Sequence, residues 1–198
     1  TTLKAYQTAG LRRIGIDPTG GKFREYYPPD IRLVSDFFSV ASYRSIETEQ
    51  ARIVTSIAMF YDLESPIEFA KQIESILADD GVWHFEQSYM PSMLRLNSYD
   101  TICHEHIEYY SLGVVKNILE TAGLRLVDVI MNGVNGGSFA VTAAKANNKS
   151  VVTNRAVIDW LLEQEDRMGL NTPKPYRDFE ERVFSHRDDL ARLIRTLD

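Results

Sequence analysis

The stretch Tyr99-Asp100-Thr101-Ile102-Cys103-His104-Glu105-His106-Ile107-Glu108-Tyr109-Tyr110-Ser111-Leu112 concentrates groups that can move protons. Two histidines, three carboxylates, three tyrosines and the only cysteine of the chain fall within fourteen residues. A histidine beside a carboxylate is a good proton acceptor near neutral pH, and Glu105 or Glu108 can orient one. Tyr61, Tyr109 and Tyr110 add hydroxyls suited to a carbonyl or a sugar. The competing reading is a solvated loop that happens to be rich in His and Glu.

Other chemistries fit these residues less well. The His-Glu-x-x-His pattern of zinc hydrolases is absent, and one cysteine excludes a Cys-rich metal site. His106-Ile107-Glu108 matches half of a zinc-deaminase signature, but its Pro-Cys-x-x-Cys partner is missing. No metal is expected. Cys103 has histidines nearby, yet no protease signature surrounds it. Gly136-Gly137-Ser138-Phe139-Ala140 lacks the final glycine of a nucleophile elbow. None of the ten tyrosines is followed four residues later by Lys, as one common dehydrogenase pattern requires.

The elements that must position this loop are legible on either side of it. Gly81 to Glu86 reads as a buried strand running into the loop, and Leu112 to Gly123 as a helix leaving it. Upstream, Leu11–Ile16, Ile31–Val34 and Ala51–Ile57 read as strands. Ser65 to Leu77 reads as a helix, with Ile67, Phe69, Ala70, Ile73, Ile76 and Leu77 at helical spacing. Pro66 suits its first turn, and Asp79-Asp80-Gly81 predicts a turn back. Alternating strands and helices imply crossovers and a parallel sheet. Leu124–Met131 and Ser138–Ala144 are then joined by a Gly/Asn-rich link, which favours an antiparallel hairpin.

A mostly parallel sheet closed by an antiparallel hairpin is the pattern of class I methyltransferases. The expected fold is therefore α/β and Rossmann-like, with a helical extension. Residues 1–146 form the expected core. Residues 147–198 form a helical extension, or a lead into a further domain, after the linker 146–150. Thr1 to Tyr6 reads as a first helix without the strand and glycine-rich loop that precede it in nucleotide-binding folds, so an incomplete N-terminus is expected.

Composition narrows the partners. The net charge is −6, with 44% hydrophobic and 25% charged residues, ordinary for a globular protein. No Lys/Arg cluster points to nucleic acid. Neither a membrane span nor a signal pattern stands out, and a single cysteine suits a cytoplasmic setting. Asp17 and Asp36 end successive strands. Such acids can bind the ribose hydroxyls and the adenine amine of a nucleoside, with Phe37 or Phe38 covering the ring. Each is equally readable as a turn residue.

The segment Asp100 to Leu112 closely resembles the His-Glu-His-x-x-Tyr-(Tyr/Phe)-Ser-Leu signature of S-adenosylmethionine-dependent sugar C-methyltransferases. Ile16-Asp17-Pro18, Asp36-Phe37-Phe38, Phe85-Glu86-Gln87-Ser88-Tyr89 and Asn135-Gly136-Gly137-Ser138 follow in that family's order. The resemblance covers roughly residues 1–144. It implies methylation of a carbon next to a ketone on a nucleotide-linked keto-deoxysugar. His106 is then the base, Glu105 its partner, and His104, Tyr61, Tyr109 and Ser138 the substrate contacts. Asp17, Asp36, Phe37 and Ala58 would line the cofactor pocket. A zinc-binding N-terminal domain and a C-terminal α/β domain are implied as neighbours. Family members often carry Tyr where this chain has Cys103. A nicotinamide-dependent oxidoreductase and a non-catalytic nucleotide-sugar-binding module remain the alternatives.

Overall fold

Strands β1 (Arg13–Ile16) and β2 (Ile31–Val34) pair in parallel, from Arg13 opposite Ile31 to Ile16 opposite Val34. They belong to the first of two units, residues 1–51 and 52–198, in a computed structural model that describes residues 2–197. The expected first helix is a single 3₁₀ turn, Thr2–Ala5. Thr1, its expected start, lies outside the described residues. Strand β1 begins two residues later than predicted, because Leu11 and Arg12 are exposed after the left-handed Gly10.

The turn after β1 is built by Asp17. Its Oδ1 accepts from the Thr19 backbone N–H at 2.8 Å and the Thr19 hydroxyl at 2.7 Å, the Asx-turn habit of this residue type. Gly20 closes the turn; a Cβ there would stand 2.9 Å from the Asp17 carbonyl oxygen. After β2, helix α1 (Val40–Arg44) starts with a capping box between Ser39 and Ser42. Little apolar surface is buried in this unit, chiefly Ile31 and Tyr43. Instead Glu47, 6% exposed, accepts from Arg12, Arg32 and the backbone N–H groups of Thr48 and Glu49.

The second unit carries a four-stranded sheet. Its elements run β3 (Ala51–Ile57), α2 (Pro66–Ile76), β4 (Leu77–Ser88), α3 (Met90–Leu96), α4 (Leu112–Thr121), β5 (Leu124–Asn132), β6 (Ser138–Lys145), α5 (Arg155–Met168) and α6 (Lys174–Arg195). The strand order is β3-β4-β6-β5. The hairpin is antiparallel as expected, and its second strand inserts between β4 and β5, antiparallel to both. A register shift at Leu126/Asp128 interrupts the β5–β6 ladder.

Two local expectations change. The predicted turn at Asp79-Asp80-Gly81 is part of strand β4, which starts at Leu77 directly after α2. The exposed acids instead end the strand with ion pairs, Asp80 to Arg52 at 2.6 Å and Asp79 to Lys145 at 3.3 Å. Helix α3 was not expected. Its signals are Pro91 in the first turn and the left-handed Asn97 that ends it at φ 58°.

The core forms where strand alternation meets helical stripes. Trp83, Phe85 and Gln87 share one buried face of β4. Phe60 sits among them, its ring 5.2 Å from Phe85, 5.6 Å from Trp83, 5.4 Å from Tyr110 and 6.1 Å from Phe69. Helix α2 adds Ile73 and Ile76, and α4 adds Val115, Ile118 and Leu119. Each such side chain contributes about 1.5–3 kcal/mol on burial. The linker after β6 is held down. Arg125 donates to Thr153, Asn148 and Val151, while the buried Asn148 donates to the Gly81 carbonyl. Among the described residues no helix is long and apolar enough to cross a membrane.

Candidate active site

The segment between β4 and α4 is anchored from several directions. At its base the Met90 N–H donates to the Tyr110 carbonyl at 3.0 Å. Met90 and Leu94 pack with Phe179 of α6, and Met93, Tyr99 and Tyr109 join that cluster. Tyr99 and His186 meet hydroxyl to Nδ1 at 2.8 Å, and Arg182 donates to the Leu94 carbonyl at 2.7 Å. The last helix thus braces the loop.

His106 is half-buried, its ring centroid 4.4 Å from that of the buried Tyr61. Its Nδ1 lies 2.9 Å from the Thr101 carbonyl oxygen. A carbonyl only accepts, so Nδ1 carries the hydrogen. In the neutral ring that leaves Nε2 with its lone pair, the form a general base needs. The Tyr109 hydroxyl donates to the same carbonyl at 3.3 Å. Together with Ser88, Met90, Met93 and Glu108 these residues enclose a cavity of about 10 Å³, room for one water. An open, mostly apolar groove of about 440 Å³ lies alongside, between Ile102 of the loop and Pro173, Tyr176, Arg177 and Phe179.

The expected roles separate here. Glu105 does not orient His106 through a hydrogen bond; the Thr101 carbonyl takes that place, and Glu105 is exposed. Its charge is still felt nearby. The Asp62 carboxyl is pushed above its ordinary range, first by burial and further by Glu105, while His106 pulls it down. Asp62 therefore belongs to the same electrostatic cluster. Sequence reading missed it; it lies in the 3₁₀ turn Phe60–Asp62 that follows β3. Burial, followed by the charge of Asp62, pushes the Tyr61 hydroxyl upward, so it remains a protonated donor at neutral pH. His104 is exposed.

Ser138 is 2% exposed and donates its hydroxyl to the Val134 carbonyl at 2.9 Å, which closes the β5–β6 connection. Its neighbour Gly137 has φ 134°, and a Cβ there would fall 2.5 Å from the Ser92 Cβ. That motif packs α3 against the hairpin. Ala58, exposed at the end of β3, holds a left-handed φ of 51°, and its N–H donates to the Glu86 carbonyl at 2.8 Å. Such a backbone is uncommon for a residue with a Cβ and collects at functional positions.

In the first unit Asp17 and Asp36 end the parallel strands β1 and β2, where α/β sheets bind ligands. Asp17 is half-buried, with Oδ1 engaged in its own turn and Oδ2 accepting from Tyr27 at 3.3 Å. Asp36 is exposed and accepts from the Phe37 N–H at 2.8 Å. The Phe37 ring is 75% exposed. Two acceptor carboxylates and an uncovered ring are a set that fits the hydroxyls, amine and ring of an adenosine group.

Known proteins identify the family. Residues 3–129 match the family described as methyltransferase domain, and residues 133–198 match the C-methyltransferase C-terminal domain. The C-methyltransferase NovU of Streptomyces niveus is 31% identical over 195 residues, covering 98% of this chain and 46% of that protein. The chain thus spans just under half the length of this relative. Among solved structures, a putative methyltransferase complexed with the Haloferax volcanii Trm112 activator superposes with a TM-score of 0.55 at 14% identity, over 73% of this chain and 75% of that one. The calicheamicin-biosynthesis methyltransferase CalO1 gives 0.53 at 12%, over 69% and 42%. These two likenesses establish the fold, a class I methyltransferase α/β sheet. With almost two thirds of its length matched by one family, this chain belongs to the methyltransferase-domain family.

Proposed function

We propose that the chain carries the catalytic core of an S-adenosylmethionine-dependent C-methyltransferase whose substrate is a nucleotide-linked keto-deoxysugar. The observation that carries this reading is the contact of His106 Nδ1 with the Thr101 carbonyl, which in the neutral ring leaves Nε2 as the acceptor. A carbon next to a ketone is acidic enough for an imidazole to deprotonate once the carbonyl is hydrogen-bonded. His106 removes that proton, and the electron pair moves into the carbonyl to give an enolate. Tyr61 or Tyr109 donates to the enolate oxygen, with His104 at the exposed rim. S-Adenosylmethionine, when bound, supplies the electrophilic methyl group and leaves as the neutral thioether. Asp17 would hold its ribose hydroxyls and Asp36 the adenine amine, and Phe37 would cover the ring. The neighbouring zinc-binding and C-terminal domains implied by the resemblance complete the substrate site in the whole protein.

The test separates proton removal from methyl transfer. The complete protein, given a nucleotide-linked keto-deoxysugar in deuterated buffer, should exchange the sugar's α-proton. His106→Ala should slow that exchange by roughly 10²-fold or more and leave S-adenosylmethionine affinity unchanged. Exchange at the normal rate in the variant would remove His106 from the role and turn attention to Tyr109 and His104.

A further inference from the structure

Glu165 of α5 is 6% exposed and accepts three hydrogen bonds: from the Tyr89 hydroxyl at 2.8 Å, the Leu112 N–H at 2.5 Å and the Gly113 N–H at 2.9 Å. The donors come from two places. Tyr89 is where the chain leaves β4 for the histidine loop. Leu112 and Gly113 are where that loop enters α4. One carboxylate thus ties both ends of a segment that carries α3, Thr101 and His104 to His106. The negative charge also sits on the first turn of α4, where the helix dipole and unpaired N–H groups favour it.

Several features fit this arrangement. A buried carboxylate is costly without donors, and here both oxygens are engaged. Gly113 has no Cβ; one added there would stand 3.3 Å from Glu165 Oε2. Burial and the charge of Glu165 drive the Tyr89 hydroxyl far above its ordinary range, so it is a permanent donor. The Tyr89 ring is itself fixed, 4.9 Å from Phe139, and its N–H donates to the Gly137 carbonyl at 3.0 Å. Closing a long flexible loop costs entropy that grows with its length, and a fixed base is what keeps His106 in one place.

We infer that Glu165 is a positioning residue for the His106 loop, holding its two ends together so that His106 keeps its place beside Thr101 and Tyr61. The inference rests on the proposed function for its catalytic consequence and on geometry alone for its structural one. It assigns a role to the C-terminal segment, since Glu165 lies within residues 133–198 while the loop lies within 3–129.

Glu165→Gln keeps the size but sets an amide N–H₂ against the Gly113 N–H, or loses one of the other donors. In the full chain, amide hydrogen exchange over residues 98–111 should rise at least tenfold, with β5 and β6 unchanged. Sugar α-proton exchange should fall at least tenfold in kcat, with S-adenosylmethionine affinity as in wild type. Tyr89→Phe, which deletes one hydroxyl, should move both readouts in the same direction by less; it decides the matter if Glu165→Gln does not fold. Wild-type amide exchange over 98–111 in both variants would overturn the inference. So would a rise spread evenly over the chain. If the wild-type protein leaves the sugar proton in place, the proposed function fails, and the amide-exchange comparison still decides the role of Glu165.

Discussion

In residues 1–51 the buried apolar side chains are Ile31 and Tyr43, and beside them lie the buried Ser42 and Glu47. In residues 52–198 Phe60, Phe69, Trp83, Phe85 and Tyr110 pack ring against ring, backed by the aliphatic faces of α2 and α4. The first unit is tied together by charge: Glu47 gathers two arginines and two backbone N–H groups, and Arg13 ties Leu3, Tyr6 and Asp30. The second holds its histidine loop with apolar burial plus one buried carboxylate. The two kinds of support answer differently to perturbation. Burial responds to lost volume and charge responds to pH.

Removing the centre of the aromatic cluster should show the largest effect. Phe60→Ala deletes a ring that meets four others and leaves a cavity among rigid neighbours. Large-to-small changes of this type cost about 3–5 kcal/mol. Urea unfolding followed by Trp83 fluorescence, its ring 5.6 Å from Phe60, reads the loss directly. A change below about 1 kcal/mol would mean that burial is not what holds this unit.

Much of this contrast was legible in the sequence, and the exceptions share a cause. Strands β2 and β3, helices α2 and α4 and the antiparallel hairpin follow from periodicity and turn residues, which are local signals. His106 and its loop stood out because their chemistry is packed into a short stretch. The group that His106 Nδ1 bonds was not legible, because a backbone carbonyl five residues earlier carries no mark in the sequence. Ser138 is named as a substrate contact by resemblance alone, and the sequence does not show that the turn uses its hydroxyl. Glu165 was invisible for the strongest reason. It lies 53 residues from Leu112 and 76 from Tyr89, and periodicity places it on an ordinary helix.

The strand-end acids offer the middle-sized test. Asp17 does two jobs in the proposed reading: it closes its own turn through Oδ1 and it receives ribose hydroxyls. Asp17→Asn keeps an acceptor for the Thr19 N–H and removes the charge, so the turn survives. Losing a charged-group hydrogen bond weakens binding by about 1.5–3 kcal/mol. Calorimetry with the complete protein should therefore show weaker S-adenosylmethionine affinity in Asp17→Asn without a drop in thermal midpoint. Equal affinity would leave Asp17 as a turn residue and nothing more.

The smallest effect is the most selective one, because it touches only the charge-held unit. The Glu47 carboxyl is held below its ordinary value, first by the Glu49 N–H, with Arg12, the Thr48 N–H and Arg32 acting in the same direction against burial. A carboxyl depressed in the folded state binds its proton more weakly there than in the unfolded chain. Its contribution is present above the unfolded value of about 4.3 and is lost as pH falls through the lower folded value. Amide hydrogen exchange of β2 and α1 should therefore accelerate on acidification before that of β4 and β6. Glu47→Gln should expose β2 and α1 at pH 7, and the gap between variant and wild type should close as the medium falls well below pH 4. A gap that persists in acid would show that packing around Glu47, and not its charge, holds the first unit, and the contrast between the two units would be one of degree.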